Sequence, residues 1–157
     1  MNHYQSPCSR MLDYRPPRIA MAILVGATLV HFTLPIEWLQ LPSLLSEGVL
    51  LIALGFGIMI RAWWLFQKFE TAICPTAKAT SFITGDIYSL TRNPMYLGMI
   101  LILLGIAVLV GSWSFYVAAI LYGLILNHVF CVYEEQTLRD QYGTEYSIYA
   151  ENVRRWI

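Results

Sequence analysis

PMYLGMILILLGIAVLVGSWSFYVAAILYGLILNHVFCV, residues 94–132, contains no Asp, Glu, Lys or Arg. It divides into two apolar runs, Pro94–Val110 and Phe115–Val132. Only Gly111, Ser112, Trp113 and Ser114 stand between them. A helix needs about 20 predominantly apolar residues to cross a bilayer, so the stretch reads as two membrane helices joined by a tight hairpin. Trp113 suits the interfacial level where such a hairpin turns. Working towards the N-terminus, Leu44–Phe66 is a further run, with Glu47 and Arg61 near its ends, where long side chains reach the interface. Ile19–Ile36 is another, bounded by Arg18 and Glu37, with His31 near its outer end. The expected fold is all-α: a polytopic integral membrane protein with about four transmembrane helices (19–36, 44–66, 94–110 and 115–132). A cytosolic loop (67–93) and C-terminal cytosolic helices (133–157) complete a single domain over 1–157.

Composition agrees. The 157 residues are 57% hydrophobic and 13% charged, against about 25% charged in soluble domains. Formal net charge is zero, which leaves no case for a nucleic-acid partner. The first residues are polar and include Pro7, Pro16 and Pro17 with no early apolar core, unlike a signal peptide.

The cations orient the chain. Arg10, Arg15 and Arg18 precede the first run. Arg61, Lys68, Lys78 and Arg92 lie at the end of the second or in the loop after it, and Arg139, Arg154 and Arg155 follow the fourth. A four-span chain puts all of them on one side, which the positive-inside rule makes cytosolic, with both termini inside.

Cys8, Cys74 and Cys131 match neither a disulfide framework nor zinc spacing, and no metal is expected. Cys74 is either a reactive thiol or an inert cytosolic one. The long loop holds Thr71, Pro75, Thr76, Thr80, Ser81, Thr84, Gly85 and Asp86, and loops of that length are often functional. Asn93-Pro94 predicts a helix start, with Asn as N-cap and Pro at the first helical position. The fourth helix is expected to continue through Tyr133, Glu134, Glu135, Leu138 and Arg139 to a glycine stop at Gly143, with Thr144 capping a short amphipathic helix. Tyr146, Tyr149 and Val153 form one face of it.

Two polar clusters remain: Arg92, Asn93, Pro94, Tyr96 and Gly98 at the mouth of the third run, and Glu134 and Glu135 at the mouth of the fourth. The hairpin makes these helices antiparallel neighbours, so both clusters lie at one depth. Glu135 has Arg139 four residues on, a favourable helical ion pair, whereas Glu134 has no local cation and either faces water or serves a site. Residues seven apart share a helix face, which places Glu134 with Asn127 and Glu135 with His128. His128 is either a base or headgroup contact, or a hydrogen-bond partner for a neighbouring helix. His31 reads as structural. No Ser/His/Asp arrangement or Gly-rich phosphate loop is present.

Thr91-Arg92-Asn93-Pro94-Met95-Tyr96-Leu97-Gly98 resembles the R-H-P-x-Y-x-G signature of the isoprenylcysteine carboxyl methyltransferase and phospholipid methyltransferase group. Glu134-Glu135, Leu138, Tyr142-Gly143-Thr144-Glu145-Tyr146, Tyr149 and Val153-Arg154 resemble its second signature, and Thr84-Gly85-Asp86-Ile87-Tyr88 its approach to the first. Asn93 stands where the family more often has His. The resemblance implies S-adenosylmethionine as cofactor, bound in a cytosolic pocket, with a lipophilic or amphiphilic acceptor entering from the bilayer. Carried over by position, Tyr88, Asn93, Pro94, Tyr96 and Glu134 line the cofactor site, joined by the backbone of Ser81, Phe82 and Ile83. Arg92 pairs with the cofactor carboxylate or with Glu134, and Glu135 or His128 is available as a base for an amine acceptor. The expected location is a bacterial or archaeal plasma membrane with the site facing the cytosol; oligomeric state is open. Two rivals are an NADPH-dependent reductase of sterol-reductase type, which shares this C-terminal architecture, and a non-enzymatic four-span protein such as a transporter.

Overall fold

The computed structural model describes residues 16–34, 41–69 and 82–157. Cys8, Cys74, Lys78 and Ser81 lie outside them. The described residues are helical, with no strand among them. Helix α1 is Pro16–Thr33, α2 is Leu45–Lys68 and α3 is Pro94–Val110. Helix α4 runs Trp113–Tyr142, with a π-turn at Leu126–Phe130, and α5 is Thr144–Asn152. A short 3-10 turn, Asp86–Ser89, precedes α3.

Helices α1, α2 and α4 are long and apolar enough to cross a membrane; α3, at 17 residues, is shorter. The chain is an integral membrane protein. The first helix begins at Pro16 rather than Ile19, because proline is favoured in a first turn whose amides have no helical partner. Most of its large apolar side chains stay exposed (Met21, Val25, Leu29, Phe32), as lipid-facing ones do.

Helices α2 and α3 are the most intimately packed pair. A Cβ on Gly55 would sit 2.6 Å from the Gly98 carbonyl oxygen, and one on Gly98 the same distance from the Gly55 oxygen. Gly48 and Gly105 repeat the approach further along, where a Cβ on Gly105 would meet the Gly48 oxygen at 2.8 Å. These pairs make the helices antiparallel and let the backbones touch, as small residues do in membrane bundles. Gly57 faces open space and takes no part.

Helix α3 ends at Gly111 in the left-handed conformation (φ 68°), which glycine adopts without strain. A Cβ there would also collide with the Leu41 carbonyl, and the Leu41 amide donates to the Gly111 oxygen at 2.8 Å. At this end His31 Nδ1 lies 2.9 Å from the buried Ser112 hydroxyl, consistent with a structural histidine. Helix α1 packs along α4, and Ala20, Tyr96, Met99, Leu103, Ala119, Tyr122, Leu126, Phe130 and Cys131 form the core that joins α1, α3 and α4.

Candidate functional site

The site lies at the end of the bundle opposite Gly111, where α2 finishes, α3 begins and α4 emerges. Asn93 is the N-cap of α3 and Pro94 its first residue, but the Asn93 side chain does not cap the helix. It is 7% exposed and its Nδ2 donates to the Arg155 carbonyl at 3.2 Å. Pro94 is fully buried. One turn on, the Tyr96 hydroxyl donates to Glu134 Oε1. Glu134 therefore faces the protein rather than water, and this bond joins the two motif segments. Arg92 is bonded to neither the Glu134 carboxylate nor a local partner on α3: its Nη2 lies 3.6 Å from Glu135 Oε1, its Nη1 donates to the Tyr146 hydroxyl at 3.3 Å, and its Nε is buried with no hydrogen-bond partner among the described residues.

Glu135 does not pair with Arg139. Arg155 grips it through both carboxylate oxygens, Nε to Oε1 at 2.7 Å and Nη2 to Oε2 at 2.8 Å, whereas the Arg139 guanidinium lies over the Tyr146 ring. The π-turn explains part of this. It adds a residue to α4 without advancing the helix face, so Asn127 aligns with Glu135, both of them holding Arg155, instead of with Glu134. His128 is turned outward: it is exposed, its Nε2 3.4 Å from Asn127 Nδ2, and it does not share a contact with Glu135.

The approach loop is anchored from two sides. Arg61 on α2 holds Asp86 through both carboxylate oxygens, with Nε 3.0 Å from Oδ1. Asp86 adopts φ 60°, which Asp tolerates because its carboxylate bonds the next amide, here Ile87 at 2.8 Å. From the other side the Tyr149 hydroxyl donates to the Tyr88 carbonyl at 2.6 Å. Phe82, expected to present its backbone, inserts its ring: it stacks on Tyr142 at 4.8 Å and meets the edges of Tyr149 at 5.3 Å. Ile83, beside it, is half-buried. Helix α5 thus packs against the protein through Tyr146 (1% exposed) and Tyr149, and leaves Ile148 outward. Gly143 rather than Thr144 occupies its N-cap position.

Burial, and then the nearby Glu134 charge, push the Tyr88 phenol far above its ordinary value; burial raises Tyr149 as well, and Tyr146 in the same direction. All three remain protonated donors at physiological pH. Asp86 moves the other way, its carboxyl held low first by the hydrogen bond from Arg61. A depressed native value means that its stabilisation is present above the ordinary carboxylate range and is lost as pH falls through the native value. The pair is exposed, so the effect is modest and screened by salt. Melting of wild type and Asp86→Asn, at neutral pH and in acid, should show the variant lacking that part of the acid-side loss, and high salt should narrow the difference.

The family model for phospholipid methyltransferases matches residues 44–145. The chain belongs to this family. The match takes in α2, the approach loop, the first motif and the Glu134-Glu135 part of the second, ends at the start of α5, and stops short of the segment that supplies Arg155. A protein of Haemophilus influenzae, described only as uncharacterized, is 35% identical over 63 residues, 40% of this chain and the whole of that protein. No solved structure matches the chain. Family membership carries methyltransferase activity in general and turns the choice away from a reductase. Arg155 and Trp156 are residues of the site that the sequence did not point to; Tyr146 stands in the second signature and Asn127 on the expected face of Glu134, but the partners they take here were not legible.

Proposed function

We propose that this phospholipid methyltransferase family member transfers a methyl group from S-adenosylmethionine to a lipophilic or amphiphilic acceptor at the membrane. In this reading the bundle crosses the bilayer four times, α3 included, with both termini and the site in the cytosol. All described Lys and Arg lie towards that end of the bundle, as the positive-inside rule requires. A bacterial or archaeal plasma membrane fits this small chain. The observation that carries the reading is the Tyr96–Glu134 hydrogen bond. It brings one residue from each motif to a single point where a water-soluble cofactor meets a bilayer-borne acceptor.

The donor set fits the cofactor. Arg92 Nε is a buried donor without a partner among the described residues, suited to a carboxylate or hydroxyl oxygen. Glu134 offers a carboxylate among phenols, suited to an amino or ribose group. Tyr88 and Tyr96 supply aromatic faces that favour a cation. Glu134, Tyr88, Tyr96, Asn93, Pro94 and Arg92 would hold the group, with Phe82 and Ile83 beside them. S-adenosylmethionine, when bound, supplies an electrophilic methyl on a sulfonium. The protein's part is positioning, since an in-line displacement depends on alignment. Tyr96 fixes the Glu134 rotamer, and Glu135 is committed to Arg155 and Arg92, so it holds the site's frame rather than moving a proton. With His128 turned outward, Glu134 is the site carboxylate nearest to hand where an amine acceptor must lose a proton.

Calorimetric titration of detergent-purified protein with S-adenosylhomocysteine should give saturable one-to-one binding, and NADPH in the same cell should give none. Absence of homocysteine-adduct binding, or tight dinucleotide binding, would overturn the reading. Mass spectrometry of a lipid extract incubated with labelled methyl donor then identifies the acceptor.

A further inference from the structure

The segment after α5, Val153–Ile157, makes no helix, yet it touches both halves of the site. Its backbone serves the first motif. The Arg92 amide donates to the Arg154 carbonyl at 3.0 Å, and the Arg155 carbonyl accepts from the Thr91 hydroxyl at 2.9 Å and from Asn93 Nδ2 at 3.2 Å. Its side chains serve α4. Arg155 holds Glu135 through both oxygens and donates Nη1 to Asn127 Oδ1 at 3.1 Å, while Trp156 Nε1 donates to the same oxygen at 3.0 Å. Thr91 is 1% exposed and Asn93 7%, so these are interior bonds.

We infer that Val153–Ile157 is a clasp that sets the first motif against α4, with Arg155 as its positioning residue. The backbone of one short irregular segment and the side chains it carries bind the two segments that bring Tyr96 to Glu134. A bidentate guanidinium fixes distance and angle together, which an ammonium cannot. The π-turn serves the same end, because it turns Asn127 onto the face that carries Glu135 and gives Arg155 and Trp156 a second anchor. Arg155 reaches the ligand only through Arg92 and Asn93. The ligand's identity rests on the methyltransferase reading; the clasp does not.

Two variants of the full chain test it. Arg155→Lys keeps the charge and loses the fork; Trp156→Phe keeps an aromatic ring, though a smaller one, and loses the indole hydrogen bond, and serves if the first fails to fold. The first should raise the dissociation constant for S-adenosylhomocysteine about tenfold and the second about threefold, with binding stoichiometry unchanged. A role in folding alone would lower the stoichiometry and leave the constant as it is. Amide exchange at Arg92, read by mass spectrometry, should quicken about tenfold in Arg155→Lys, since its acceptor is carried by the loosened segment. Glu151→Gln, an exposed charge loss on α5, is the control and should change neither reading. Wild-type affinity together with wild-type exchange at Arg92 in both variants overturns the clasp. Should wild type bind no S-adenosylhomocysteine, the methyltransferase reading falls, and the exchange measurement alone decides the clasp.

Discussion

Glu134→Gln should weaken S-adenosylhomocysteine binding by about 2 to 3 kcal/mol, roughly thirty- to a hundred-and-fiftyfold, the value of a hydrogen bond to a charged group. The amide keeps the size of the side chain and can still accept from Tyr96, so the loss reports the charge. Glutamate is an expensive residue at the mouth of a membrane helix. Among the described residues it has no cation to offset it: its partner there is a neutral phenol, while the neighbouring arginines are taken by Glu135. Removing its charge should therefore leave the melting temperature unchanged or raise it. Glu135→Gln should do the reverse. Its carboxylate is only 12% exposed and faces both Arg155 and Arg92, and removing one partner from such a set costs about 3 kcal/mol or more of stability. The two adjacent glutamates thus separate along different axes, binding for one and stability for the other. A Glu134→Gln protein that binds the adduct as wild type does would remove Glu134 from the site.

The contrast also shows how far the sequence could be read. Helix type and approximate limits were legible because an uncharged run has few alternatives in a bilayer, and the short hairpin made α3 and α4 antiparallel before any coordinates. That put Tyr96 and Glu134 at one level. Side-chain partners were less legible. Asn93 satisfies the N-cap preference by composition, but a tertiary acceptor, the Arg155 carbonyl, takes its amide. Glu135 had a favourable local partner in Arg139, yet a short helical pair contributes only about 0.3 to 0.5 kcal/mol, and a bidentate bond to Arg155 outcompetes it. The assignment of His128 to the face of Glu135 assumed a uniform helix. The π-turn slips the register by one residue, and nothing in Leu126–Phe130 announces it. Arg155 itself lies beyond the last helical periodicity, so no pattern pointed to where its side chain goes.

Gly55→Ala should destabilise the protein strongly, by about 3 kcal/mol, and it should disturb the site as well. The added carbon would lie 2.6 Å from the Gly98 carbonyl oxygen, 2.8 Å from Ile102 Cγ1 and 3.1 Å from the Ile102 amide nitrogen. A flexible side chain could yield, but two of these neighbours are backbone of α3, so the helices must separate. Overpacking a tight contact costs about 1 to 3 kcal/mol, and moving two helices apart along a shared face reaches the upper part of that range. Gly98→Ala meets the reciprocal obstacle, the Gly55 oxygen at 2.6 Å and Met59 Cγ at 2.6 Å. The glycine of the first motif therefore acts through packing, by letting α3 lie against α2. The site feels this because α2 carries Arg61, which ties down Asp86, and α3 opens at Asn93 and carries Tyr96. Spreading the pair pulls the approach loop and the first motif in opposite directions. Gly57→Ala is the internal control: no atom lies within 4 Å of its added carbon, and replacing glycine by alanine inside a helix favours the helix by up to about 1 kcal/mol. Melting of the three variants in the same detergent should place Gly57→Ala at or above wild type and the other two well below it. Gly55→Ala and Gly98→Ala should also show weaker S-adenosylhomocysteine binding at temperatures where they remain folded. Equal melting of Gly55→Ala and Gly57→Ala would mean that α2 and α3 do not meet through these glycines, and the arrangement of the site would have to be redrawn from α2 outward.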